Sequence, residues 1–123
     1  MKFRDRLGQR FIMTQGFEQC LFIYPTAEWE AVEGQLRELQ TSQKQDRDFV
    51  RLISSSAEEI EMDKQGRVLI PARHREYAGI QKDVYTIGVI NKIELWDKEL
   101  WEEYSEGIKS SFEEMAKNTG LKM

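Results

Sequence analysis

The sequence contains one cysteine, one histidine and two prolines among 123 residues. A single thiol, Cys20, excludes an internal disulfide and gives no framework for a structural metal. The lone histidine, His74, lacks a clear serine or cysteine partner for nucleophilic catalysis. Neither a G-x-x-x-x-G-K loop nor an H-E-x-x-H helix occurs. Carboxylates are plentiful, but pairs such as Glu58–Glu59 and Glu102–Glu103 carry no site-like pattern and read as charged surface. No apolar run approaches the roughly 20 residues that a membrane-spanning helix needs. The basic start MKFRDRLGQRF has no apolar signal core. These absences point away from an enzyme, a cofactor protein and a membrane or small-molecule-binding protein, and toward the reducing cytoplasm.

What is present is charge, unevenly spread. The net charge is −4, from 18 basic and 22 acidic residues. Yet Met62–Lys82 carries five Lys or Arg against two acids, and Met1–Arg10 four against one. Glu94–Met123 carries four against eight. An acidic chain with local basic segments is read from its distribution rather than its sum.

The chain also repeats itself. At an offset of 72 residues, Thr14 meets Thr86, Gly16 meets Gly88, Leu21 meets Ile93, Ile23 meets Leu95, Tyr24 meets Trp96 and Trp29 meets Trp101. Upstream, KFRDRLG resembles RHREYAG with the offset slipped by one. Each copy reads as strand, glycine turn, strand, helix. Enrichment in β-branched and aromatic residues places strands near Phe11–Thr14, Leu21–Tyr24, Val84–Ile87 and Ile93–Trp96.

A 3.6-residue period predicts a helix with Trp29, Val32, Leu36 and Leu39 on one stripe and Thr26 as N-cap. It predicts another with Trp101, Tyr104, Ile108, Phe112 and Met115 on its stripe, capped by Asp97. A third helix is expected over about Lys44–Ser54, with Phe49, Leu52 and Ile53 inward.

The second copy is preceded by EEIEMDKQGRVLIPARHR. Glu59–Met62 alternates in polarity like a half-exposed strand. Asp63–Gly66 reads as a turn, Val68–Ile70 as the returning strand, Pro71 as its end, and Ala72–Tyr77 as a helical turn. The first copy has no such unit, and the asymmetry implies about 15–20 further residues before Met1 in a complete repeat.

The tip of this unit is the chemically informative part. Arg67 has the planar fork that grips guanine O6 and N7. Lys64 suits a phosphate, as a mobile point charge. Asp63 stands four residues before Arg67 and can pin it or accept turn amides. The same pair can equally be a structural clamp. Arg73, Arg75 and His74 can equally be solvated or structural residues, and Trp29 and Trp101 read as core anchors.

At MDKQGRVLIPARHREYAG the chain resembles the MraZ family, within the AbrB-like swapped-hairpin superfamily. GFEQCLFIYPTAEW, SSSAEEIEMDKQGR and IGVINKIELWDKELWEEYSEG extend the resemblance over nearly the whole chain. It implies an α+β fold, mainly β with peripheral helices: a swapped-hairpin β-barrel built from two tandem repeats, the first incomplete. The corresponding division is residues 1–40 for the incomplete repeat, 41–57 for a helical linker, 58–101 for the second repeat and 102–123 for a C-terminal helix.

The resemblance further implies a sequence-specific DNA-binding regulator. It would repress the division and cell-wall gene cluster that includes its own gene, through tandem direct repeats near the promoter. It implies ring-like homo-oligomers and a cytoplasmic, nucleoid-associated protein without a cofactor. The family's D-x-x-x-R loop falls on Asp63, Lys64, Gln65, Gly66 and Arg67, and the basic residues after it on Arg73 and Arg75. The family carries that loop in both halves, and here only the second has it. Lys2, Arg4 and Arg6 remain as weaker phosphate contacts.

Two rival readings follow from the residues. One is a protein-interaction or oligomeric assembly module without DNA specificity, motivated by the C-terminal stripe. The other is a toxin-partner antidote, against which the ordered C-terminal pattern argues.

Overall fold

The computed structural model describes residues 7–39 and 43–123. Five strands form one antiparallel sheet: β1 (Arg10–Gln15), β2 (Leu21–Pro25), β3 (Glu58–Glu61), β4 (Val84–Val89) and β5 (Lys92–Asp97), in the order β3-β1-β2-β5-β4. Around it, among the described residues, lie α1 (Thr26–Leu39), α2 (Lys44–Ser56), α3 (Ala72–Ala78), α4 (Lys98–Lys109) and α5 (Phe112–Thr119). The α+β class with peripheral helices holds.

The central strand explains the arrangement. LFIY is apolar at every position because β2 is covered on both faces. Leu21 and Ile23 join Phe11, Met13, Ile60, Met62, Ile93 and Leu95 in one cluster. Phe22 and Tyr24 join Trp29, Leu36, Val50, Ile53 and Trp96 in the other. Successive side chains on a strand point to opposite faces, so one strand serves two cores.

The sequence repeat is a spatial one at an offset of 72 for β2 and β5, while along β1 and β4 the pairings shift the match by one, so that Met13 rather than Thr14 corresponds to Thr86. Across the middle of the sheet, Phe22 pairs with Glu94, flanked by Leu21↔Leu95 and Ile23↔Ile93. The offset of 72 that maps Phe22 onto Glu94 exchanges those two flanking pairs. A local two-fold therefore relates β1–β2–α1 to β4–β5–α4. Its two halves carry matching aromatic contacts: Tyr24 to Trp29 at 5.5 Å and Trp96 to Trp101 at 5.1 Å between ring centroids.

Local chemistry sets several boundaries. Asp97 caps α4 by accepting the Leu100 amide at 3.1 Å, and its other oxygen accepts the Gln81 amide. Gly79, at φ +65°, closes α3: its amide donates to the Glu76 carbonyl and the Ile80 amide to that of Arg75, a pairing that favours glycine. Gly16 sits where any side chain would collide, since a Cβ there would lie 2.6 Å from the Phe22 ring.

Four expectations are corrected. Val68–Ile70 is not a strand: it runs beside the sheet without ladder pairing, and β3 pairs with β1 instead. In α2 the buried residues are Val50 and Ile53, while Phe49 and Leu52 face outward. The positions i and i+3 that touch the sheet are one residue out of phase with the expected stripe, because the contact is set by α1 and β1. Thr26 is the first residue of α1, and its hydroxyl donates to the Arg10 carbonyl at 3.4 Å rather than capping. The expected single stripe from Trp101 to Met115 is divided between α4 and α5, which separate at Ser110–Ser111.

Candidate nucleic-acid interface

The tip between β3 and α3 is built around one carboxylate. Asp63 Oδ1 accepts the backbone amides of Gln65 at 3.0 Å and Arg67 at 2.8 Å. Asp63 Oδ2 accepts Arg67 Nε at 2.9 Å. The backbone closes the same ring, with the Asp63 amide donating to the Arg67 carbonyl at 2.9 Å and the Gly66 amide to the Asp63 carbonyl at 3.0 Å. Gly66 has φ +80°, the left-handed conformation that a side chain disfavours. The Arg67 amide, ahead of the guanidinium, holds the Asp63 carboxyl below the ordinary carboxylate range, against some desolvation.

The consequence is a positioned arginine. Its side chain is 76% exposed yet is tied at Nε. Nη2 also donates to Gln65 Oε1 at 3.3 Å. Fixing the fork beforehand reduces the entropy lost on binding. The clamp and the contact are thus compatible roles of one pair. Lys64 is exposed on the same turn.

The other sequence-selected residues divide. Arg75 is exposed on α3. Arg73 lies against the α2–β3 junction, donating from Nη1 to the Ser55 carbonyl at 2.8 Å and from Nη2 to Glu58 at 3.2 Å. His74 is 2% exposed, and its Nε2 donates to the Ser56 carbonyl at 2.7 Å. Both fasten α3 to the body. Lys2, Arg4 and Arg6 lie outside the described residues.

Arg10 was not singled out by sequence. It pairs in register with Glu61 and contacts its carboxylate at 3.0 Å, two residues before Asp63. Only the β1–β3 pairing, a contact across 51 positions, brings it there. Among the described residues no cluster of three or more His, Cys, Asp or Glu is arranged to hold a metal ion. No helix among them is long and apolar enough to cross a membrane.

A family model described as "MraZ protein, putative antitoxin-like" matches residues 1–52 and again residues 53–122. The chain belongs to the MraZ family. The two successive matches divide the chain as the internal repeat does. A protein named transcriptional regulator MraZ from Thermoanaerobacter sp. (strain X514) is 49% identical over 117 residues, covering 95% of this chain and 82% of its own length. Proteins of the same name from Acetivibrio thermocellus and Symbiobacterium thermophilum are 48% and 50% identical over 120 residues. Those matches cover 98% of this chain and 84% and 87% of the relatives. Membership makes the chain a transcription regulator, which is not an enzyme class.

Proposed function

We propose that this regulator binds duplex DNA sequence-specifically through the Asp63–Arg67 turn. On this reading it represses the division and cell-wall gene cluster, its own gene included, by occupying tandem direct repeats near the promoter. The observation that carries the reading is an exposed guanidinium fixed by a carboxylate at the tip of a turn. Arg67 reads a guanine edge. Lys64, Arg75 and Arg10 neutralise phosphates, with Lys2, Arg4 and Arg6 as further candidates. Gln65 steadies Arg67, and Gly66 permits the turn. Several chains acting together, in a ring or another homo-oligomer in the nucleoid, multiply a weak single contact.

A titration of fluorescent duplex from upstream of the gene, against a scrambled duplex at two salt concentrations, tests this. Tight, selective and salt-sensitive binding is expected. Equal affinity for the two duplexes overturns the specific reading.

One observation favours assembly as a second role. On α5, Phe112 and Met115 are exposed, and Leu121 follows them. Light scattering that finds oligomers, with no DNA selectivity in the titration, favours an assembly module.

A further inference from the structure

Two carboxylates on the segment leading into the turn each hold an arginine through its Nε. Asp63 Oδ2 accepts Arg67 Nε at 2.9 Å, and Glu61 Oε2 accepts Arg10 Nε at 3.0 Å. Met62 between them is buried, while Glu61 and Asp63 are both exposed. Residues two apart on an extended chain share a face and stand about 6.5 Å apart. The two ion pairs are therefore neighbours on one surface.

They differ in how firmly they close. Arg67 gives Asp63 its own amide as well as its Nε, and the Gln65 amide adds a third bond to that carboxylate. Glu61 and Arg10 meet only side chain to side chain across two strands, with 56% and 65% of those side chains exposed. An exposed pair of that kind gains little net free energy and is screened by salt. One arginine is fixed at the tip, and the other is held beside it by an exchangeable contact.

The second pair bears on how a polyanion is received. While it is closed, Glu61 cancels the charge of Arg10 for any phosphate beyond contact distance. A phosphate gains Arg10 only by coming close enough to displace Glu61, and the same carboxylate repels it on the way. Loose electrostatic association with a random duplex does not require that approach. Seating Arg67 on a base edge does, because it draws the backbone against the turn. Resting on the DNA reading above, we propose that Glu61 is a specificity-determining residue. It withholds Arg10 from non-specific duplex and yields it to a phosphate when Arg67 is seated on its base. Specificity is a difference of affinities, and an element that weakens the wrong complex serves it as well as one that strengthens the right one. Arg67 supplies the attractive element and Glu61 the repulsive one.

Anisotropy titrations of target and scrambled duplex across a salt series, with the wild type, Glu61→Gln, Arg10→Ala and the double variant, test this. In the wild type the slope of log K against log salt is expected to be shallower on the scrambled duplex than on the target by about one. Glu61→Gln is expected to steepen the scrambled slope by about one. It is also expected to raise affinity for the scrambled duplex several-fold and for the target less, so that selectivity falls. Arg10→Ala is expected to remove about one from the target slope and to leave the scrambled slope as it is. Adding Glu61→Gln to Arg10→Ala is expected to change neither slope. A cross-strand clamp with no part in DNA binding would lower the unfolding midpoint of the variants and move none of these slopes. Two results overturn the proposal while the wild type still discriminates: a scrambled slope that Glu61→Gln leaves unchanged, or one that it steepens equally when Arg10 is absent. Equal wild-type affinity for the two duplexes removes the DNA reading itself, and the role of Glu61 with it.

Discussion

At the scale of single residues, the proposed DNA reading rests on Asp63 and Arg67. Replacing Arg67 with alanine is expected to lower discrimination between target and scrambled duplex by about 1–3 kcal/mol, the worth of a bidentate base contact. Lys64→Ala is expected to weaken both duplexes alike, because a phosphate carries no sequence. Competition titrations of the two variants check both. Asp63 adds a pH dependence. Its carboxyl sits below the ordinary range, chiefly through the Arg67 amide. A depressed carboxyl supports the folded turn above the unfolded chain's ordinary value and loses that support as pH falls through the lower, folded value. Selectivity is therefore expected to survive mild acid and fail only below the usual carboxylate range, which a carboxyl-carbon NMR titration would follow.

Burial pushes the Cys20 thiol up to about 12, with Glu94 and Glu18 adding to it. The folded protein is expected to resist alkylation at pH 8 and to react once denatured, as a thiol assay would report. Between pH 9.0 and about 12 the unfolded chain ionises while the folded one does not, so stability falls with rising pH across that window.

Among elements, the contrast between β1 and β4 predicts unequal mutational costs at equivalent positions. Phe11 is fully buried between β2 and β3, and Phe11→Ala is expected to cost about 3–5 kcal/mol. Its counterpart through the β1–β2 and β4–β5 pairings, Val84, is 37% exposed, so Val84→Ala is expected to cost less than about 1 kcal/mol. Urea unfolding of the two variants measures the difference, and equal losses would contradict the assigned burial. Within the turn, Gly66→Ala forces a side chain into φ +80°, at about 1–2 kcal/mol. Differential scanning calorimetry would register that loss in a lower midpoint.

For the whole molecule, the question is how a chain of net charge −4 meets a polyanion. Lys64 and Arg67 lie on the turn, the β1–β3 pairing brings Arg10 two residues before it, and Arg75 is exposed on α3. The acidic surplus lies in Glu94–Met123. With Lys64, Arg75 and Arg10 each neutralising one phosphate and Arg67 on a base edge, log K is expected to fall with log salt at a slope of about −3 per bound chain. A slope near zero, measured by anisotropy across a salt series, would contradict phosphate contact by this surface.

By itself the sequence determined the repeat, the four paired strands, the Asp97 cap and the Asp63–Arg67 turn, though the second hairpin turns at Ile90–Asn91 and Gly88 lies within β4. These are local matters: alternation, capping and a five-residue ring of hydrogen bonds depend on neighbours along the chain. What it could not determine depends on which distant segments meet. The tertiary structure decided that β3 pairs with β1 and carries Arg10 to the tip, and that Val68–Ile70 stays unpaired. It also decided that Val50 rather than Phe49 faces inward, that His74 is buried, and that Arg73, though exposed, fastens α3 to Ser55 and Glu58. Each of these was fixed by a partner many positions away, whose choice follows from packing both faces of β2 and from no local pattern.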